Sequence, residues 1–261
     1  MLRALLIVPT LAATTLAQQT INIQITNNQP AGGMSTSPFW VAAHNGSFDL
    51  FNSGAAASSS IEALAELGNG DGLTADLGAA GVAGTVTTDA ALPQFTPGET
   101  GSLNLIVPNA GVNRWFSFAS MIVPSNDYFV GNGDPLAHPI FDAAGNFAGP
   151  VTIQIFGTGA WEAQTEVDDA SPSGGAAFLV GRDAMAGAPE TGGVVALFTL
   201  PDNTTYLQSL NGLATPAYTM SDVLTGGELL ATIVITPTPG AAAVLGLGAL
   251  TAMRRRRAHA G

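Results

Sequence analysis

The chain has 261 residues, 46% of them hydrophobic, with 32 Gly, 16 Pro and no Cys. Its seven cations are all Arg and face 19 Asp and Glu, giving a formal net charge of −12. Too few cations are present to neutralise phosphates, which excludes a nucleic-acid binder. The apolar content excludes disorder, and without cysteine neither disulfides nor a thiolate zinc site can form.

The first segment, "MLRALLIVPTLAATTLA" (residues 1–17), places Arg3 before an apolar run and ends on small residues. This is the pattern of a secretory signal peptide. Of the seven Arg, only Arg114 and Arg182 lie between residues 18 and 236, together with all of the acids. Acidity of that order suits solubility, salty surroundings or divalent cations.

The stretch "QTINIQIT" (Gln19 to Thr26) alternates apolar and polar residues and predicts a first strand. "FWVAAHN" (Phe39 to Asn45) reads as a partly buried extended segment. "SSSIEALAELGNGDG" is the one clear helix candidate. Ser59 or Ser60 caps it, Ile61, Leu64, Ala65 and Leu67 form its apolar face, and Gly68 ends it. Further strands are predicted at Gly101 to Val107, Arg114 to Val123, Val151 to Gly157, Gly193 to Leu200 and Glu228 to Thr236. Frequent Gly and Pro separate them. The pattern predicts an all-β fold, a β-sandwich with one short helix, spanning residues 18–236.

The C-terminal segment, 237–261, holds Pro237 and Pro239, an apolar stretch from Gly240 to Met253, and then Arg254 to Arg257. The stretch is shorter than the ~20 apolar residues that span a bilayer, and the arginines would stay on the cytoplasmic side. This tail resembles the PEP-CTERM sorting signal of exported bacterial proteins, with Thr238 where the family has Glu between the prolines. The resemblance implies processing by an exosortase-type enzyme and transient contact with the inner membrane. A membrane tail that is never cut is the other reading.

The candidate chemistry is sparse. His44 and His138 are far apart in sequence, and no G-x-S-x-G elbow accompanies them. A packed structural histidine is the favoured reading of His44. "GNGDG" (Gly68 to Gly72) reads as a helix end followed by a turn. Carboxylates cluster in "WEAQTEVDDASP" as Glu162, Glu166, Asp168 and Asp169. A pair of them could hydrolyse glycosides, but oxygen ligands from loops of an acidic exported chain fit calcium better. In "SMIVPSNDYFVG" (Ser120 to Gly131), Pro124 stiffens a turn that carries Asp127 between two apolar runs. The turn reads either as a capped surface turn or as a rigid holder for a metal ligand.

Taken in order, "FWVAAHNGSFDLFNSGAAASSSIEALAELGNG", "RWFSFASMIVPSNDYFVGNGDP", "WEAQTEVDD" and "ELLATIVIT" resemble the spondin domain, the F-spondin-type module of matrix proteins. The resemblance extends over most of residues 20–236. It implies a β-sandwich with a calcium ion in its loops, acting in adhesion and matrix binding without catalysis. On the family's pattern the aspartate of "VPS-x-D" is Asp127, the acid opening "D-A-G-T" is Glu162, and the third ligand position falls nearest Asn104. Glu162 and Asn104 depart from the family's residues. The expected function is an exported calcium-binding module of the cell envelope or extracellular space, whose partner is a polysaccharide or matrix component. The alternative is a secreted polysaccharide hydrolase using the Glu162 to Asp169 carboxylates.

Overall fold

The computed structural model describes residues 18–80, 86–88, 95–198 and 204–238. The expected signal peptide and the tail from residue 239 onward lie outside them. In chain order the elements are β1 (Gln19–Asn27), β2 (Ser35–Thr36), β3 (Trp40–His44), α1 (Ser59–Leu67), α2 (Asp71–Ala79), β4 (Val86–Thr88), β5 (Thr100–Val107), β6 (Trp115–Val123), β7 (Tyr128–Gly131), β8 (Val151–Phe156), β9 (Ala160–Glu162), β10 (Ala196–Leu197), α3 (Thr204–Ser209) and β11 (Leu229–Pro237).

These strands make two antiparallel sheets. One has the order β5-β1-β11-β8; the other runs β10-β9-β7-β6-β3-β4, with β2 also pairing β6. The predicted all-β sandwich is the fold observed, with three short α-helices among the described residues where one was expected. The first and last strands pair directly, Ile23 opposite Ile235 and Ile25 opposite Ile233. Thr238 continues past β11 and donates its N–H to Thr20 O at 3.0 Å.

The two sheets solve different burial problems. In β1 the alternation places Ile21, Ile23 and Ile25 inside, against Leu105 and Val107 of β5, Ile153 and Ile155 of β8 and Ile233 and Ile235 of β11. This layer meets Phe39, Val41, Phe116, Phe118, Tyr128 and Val130 from the second sheet. The opposite face of that second sheet carries Trp40, Ala42, Ala119 and Phe129, which pack on Ile61, Leu64 and Ala65 of α1 and Leu73 and Leu77 of α2. Strands β3 and β6 are therefore covered on both faces and read as nearly continuous apolar runs.

Helix α1 forms where it was expected, with one shift at its start. Ser58 is the N-cap, its hydroxyl accepting from Ile61 N at 3.2 Å. Ser59 and Ser60 instead lie in the first turn. Gly68 ends the helix in the left-handed region, φ 67°, where a side chain would also strike Ser37. The "GNGDG" stretch does not lead into a plain turn: after Gly70 the chain enters α2. Only the Leu73–Leu77 pair, four residues apart, anchors that helix in the core. The strand expected over Gly193 to Leu200 is present as the two-residue β10, while residues 199–203 lie outside the described part.

Candidate metal centre

The site grows out of the turn between β6 and β7. Ser125 Oγ donates to Ile122 O at 2.6 Å and accepts from Tyr128 N at 3.2 Å, so one hydroxyl stitches the turn across both ends. Asn126 ties the turn to the 169–174 loop: its Oδ1 accepts from Asp169 N at 3.2 Å and its Nδ2 donates to Gly174 O. Ala177 N donates to Ser125 O from the same direction. Ser125, Asn126 and Asp127 are all fully buried. A surface turn is thereby ruled out.

Asp127 holds its two oxygens in different ways. Oδ2 accepts from Thr165 N at 2.6 Å, Glu166 N at 3.1 Å and Thr165 Oγ1 at 3.3 Å. Oδ1 is buried without a hydrogen-bond partner. Pairing of β7 with β9 sets Glu162 opposite Tyr128, next to Asp127, and Ala163 N donates to Asp127 O at 3.2 Å. Asp168 completes a group of three. Its Oδ2 accepts from Tyr128 Oη at 2.7 Å, and its Oδ1 is again buried and unpartnered. One carboxylate oxygen from each of Asp127, Glu162 and Asp168 lies within 4.8 Å of the other two.

The electrostatics follow from burial without a counter-charge. Burial pushes Asp127 up to about 6, against the opposing backbone donors of Thr165 and Glu166. Asp168 rises to about 7, again mainly by burial, although the Tyr128 hydroxyl favours its charged form. Burial and then the neighbouring Glu66 carry Glu166 to about 7. The two arginines of the described residues are engaged elsewhere. Arg114 lies over the Trp115 ring at 5.6 Å, and Arg182 donates to Ala170 O at 3.0 Å.

Such a group fits a hard divalent cation. Oxygens around one calcium ion sit at 2.3–2.6 Å from it, so opposed ligands are about 5 Å apart or less; the three carboxylates meet that limit. Carboxylate-only donors suit calcium, magnesium or manganese, and not a soft metal. The two orphaned oxygens, Asp127 Oδ1 and Asp168 Oδ1, are the kind of buried acceptor that an ion would satisfy.

Of the residues singled out from sequence, the structure brings Asp127 and Glu162 together and leaves Asn104 apart. Asn104 sits on β5 in the other sheet, exposed, between the inward-facing Leu103 and Leu105. Its Oδ1 accepts from Asn22 Nδ2 on β1 at 3.0 Å. Asp168, read in the sequence among the Glu162 to Asp169 acids that fit calcium but not singled out from them, takes the third place. Its signal was the Tyr128 hydroxyl on the opposite strand, a contact that no sequence spacing encodes. Asp169 turns away to Ser171 N and Oγ, both at 2.8 Å.

His44 is the structural histidine that was expected. Gly46 N donates to its Nδ1 at 3.1 Å, so the proton rests on Nε2, 2.8 Å from Ser117 Oγ. Burial lowers its pKa to about 4. A neutral imidazole that donates to the serine cannot also take the proton of that serine. Burial also lowers His138, whose ring lies against Phe118.

Residues 23–134 match the family described as Spondin_N. The match supports a spondin-type domain. It takes in Asp127 and ends before Glu162 and Asp168, so one carboxylate of the three lies inside it and two lie beyond. No curated protein was found to match the chain.

Proposed function

We propose that this protein is an exported, non-catalytic spondin-type module that holds one calcium ion at Asp127, Glu162 and Asp168. The observation that carries the reading is the meeting of three carboxylates, two of them with buried, unpartnered oxygens. A bound ion supplies the missing positive charge. It ties the β6–β7 turn, the end of β9 and the loop bearing Asp168 into one unit. The ion's work is structural: with these loops fixed, the surface around them keeps one shape for a partner.

That partner is an extracellular polysaccharide or matrix component, and the role is adhesion or association with the envelope. A spondin-type match and the acidic composition support export. So does the signal-like N-terminus, with an exosortase-type enzyme acting on the tail. Among the described residues no helix is long and apolar enough to cross a membrane. The hydrolase alternative calls for two carboxylates facing each other across a cleft with a histidine-independent proton path. Three acids gathered within 4.8 Å favour the ion instead.

The test is thermal melting of the full chain in millimolar calcium and in excess EGTA. A ligand at about 100 times its dissociation constant stabilises by roughly 2.7 kcal/mol, about 5–10 °C for a domain of this size. Asp127→Asn should abolish the shift. A wild-type chain that melts identically in both buffers would sink the proposal.

A further inference from the structure

The strands of the first sheet, β5, β1, β11 and β8, contain no Asp, Glu, Arg or His. All 19 acids of the chain lie elsewhere. On the inner face the apolar layer requires this. The outer face is under no such constraint, because exposed positions are where charged residues ordinarily sit. The register lines its side chains up in rows: Thr100, Thr26, Thr232 and Gln154 in one, Ser102, Gln24, Val234 and Thr152 in the next. Gln24, Ser102, Thr152 and Gln154 are exposed. Cross-strand bonds order parts of the array: Thr26 Oγ1 lies 2.9 Å from Thr100 Oγ1, and Asn22 Nδ2 donates to Asn104 Oδ1 at 3.0 Å. Glu99 and Glu228, which immediately precede β5 and β11, accept from Thr96 N and Thr225 N of their own turns.

We infer that the outer face of this sheet is a docking surface for an uncharged, extended polysaccharide. The inference rests on the proposed function for the class of partner, and adds where that partner binds and what charge it carries. Charge decides first. Between residues 18 and 236 two Arg stand against 19 acids, so a polyanion is repelled by the chain as a whole and finds no cation on this face. A polycation would seek carboxylates, and this face has none. A neutral polymer is the partner for which a face without charge leaves no ion to desolvate.

Chemistry and shape agree with charge. Hydroxyls and carboxamides both donate and accept, as sugar hydroxyls do, so each can complement the other. The cross-strand bonds use part of that capacity and limit the side-chain freedom lost on binding. From strand spacing and rise, the face extends about 14 Å across the strands and about 20 Å along them. Sites for small molecules are concave; an open face suits a polymer that lies along it and adds weak contacts unit by unit. Protein interfaces centre on aromatic, Met and Arg side chains. Here the four strands hold one aromatic residue, Phe156, and it sits on the edge strand β8.

The experiment is affinity electrophoresis of the full chain in native gels containing hydroxyethylcellulose, dextran or mixed-linkage β-glucan, with hyaluronan as the anionic polymer, all in millimolar calcium. Wild type should be retarded by at least one neutral polymer and not by hyaluronan. Gln24→Ala combined with Gln154→Ala should weaken that binding about tenfold, through loss of two hydrogen-bonding amides. Gln208→Ala, exposed on α3, should leave it unchanged. If near-UV circular dichroism shows the double variant unfolded, Asn104→Ala decides, with a loss of about threefold expected. Retardation by hyaluronan alone, or by a neutral polymer equally in every variant, would overturn the docking face and leave a polysaccharide partner standing. No retardation by any polymer would overturn both, while the calcium-dependent melting shift still reports on the ion separately. A chain that sediments as a dimer, and that the double variant turns monomeric, would overturn the inference in favour of a contact between copies.

Discussion

In the four-stranded sheet, β1 pairs β11 from Ile21–Pro237 to Asn27–Ala231 without a break. Every second side chain enters an apolar layer with no charge in it. Around the β6–β7 turn the chain also buries nearly everything, yet there it buries Ser125, Asn126, Asp127 and Glu166. Side chains bond backbone groups across the turn, and three carboxylates gather. The first region is stabilised by area removed from water, which solution conditions change little. The second is poised: with its acids charged it opposes folding, and the proposed ion would offset that charge. A scaffold that stands by itself thus carries a turn whose stability depends on the charge state of its acids.

The largest expected effect separates the two regions by mutation. Ile233→Ala removes a fully buried side chain from the inter-sheet layer and should cost about 2–5 kcal/mol. The loss, read from urea midpoints, should be the same in calcium and in EGTA. A loss that calcium largely repairs would mean that the two regions are not independent.

Next is pH. Asp127 at about 6 and Asp168 at about 7 both lie above the ordinary 3.8. Between about pH 4 and 7 the folded, ion-free chain keeps protons that the unfolded chain has released, so its stability falls as pH rises through that window. In EGTA the protein should be more stable at about pH 5 than at about pH 7.5, by roughly 2 kcal/mol, because His44, buried and lowered to about 4, offsets part of the fall over the same window. Excess calcium should remove most of the difference. A melting temperature in EGTA that climbs from pH 5 to 7.5 would contradict the reading.

Tyr128→Phe sharpens the comparison within one residue. The ring packs in the inter-sheet layer against Phe198 and Tyr206, while its hydroxyl serves Asp168. Loss of that one bond should cost about 1–2 kcal/mol in EGTA. It should also weaken calcium binding, which a purely packing role would leave alone. The smallest effect belongs to Asn104→Ala, exposed on β5, at about 0.5 kcal/mol or less. The calcium-dependent melting shift should survive it intact, which checks that this position lies outside the ligand set.

The same contrast governs what could be read in advance. Strands β1, β5, β8 and β11 were legible because burial on one face imposes a period of two on their sequences. Helix α1 was legible through its cap, its apolar stripe and Gly68. Helix α2 was not: "DGLTADLGA" contains two glycines, lacks a side-chain N-cap, and owes its form to Leu73 and Leu77 meeting the sheet. Asp127 could be found because Pro124 and the flanking apolar runs mark a held turn. Asp168 was read only as one of the Glu162 to Asp169 acids that fit calcium; that it, and not Asp169, joins Asp127 is set by the tyrosine of β7. Such neighbours in space are set by tertiary contacts, and Asn104, chosen by position along a hairpin, faces solvent on the opposite sheet.

The central claim is that Asp127, Glu162 and Asp168 hold one ion, and anomalous diffraction from crystals of the full chain grown in calcium tests it most directly. The account requires an anomalous peak at about 2.3–2.6 Å from Asp127 Oδ1 and from a carboxylate oxygen of Glu162 and of Asp168, absent in crystals of Asp127→Asn. Ordered density throughout the turn, with no peak among those three carboxylates at millimolar calcium, would contradict it.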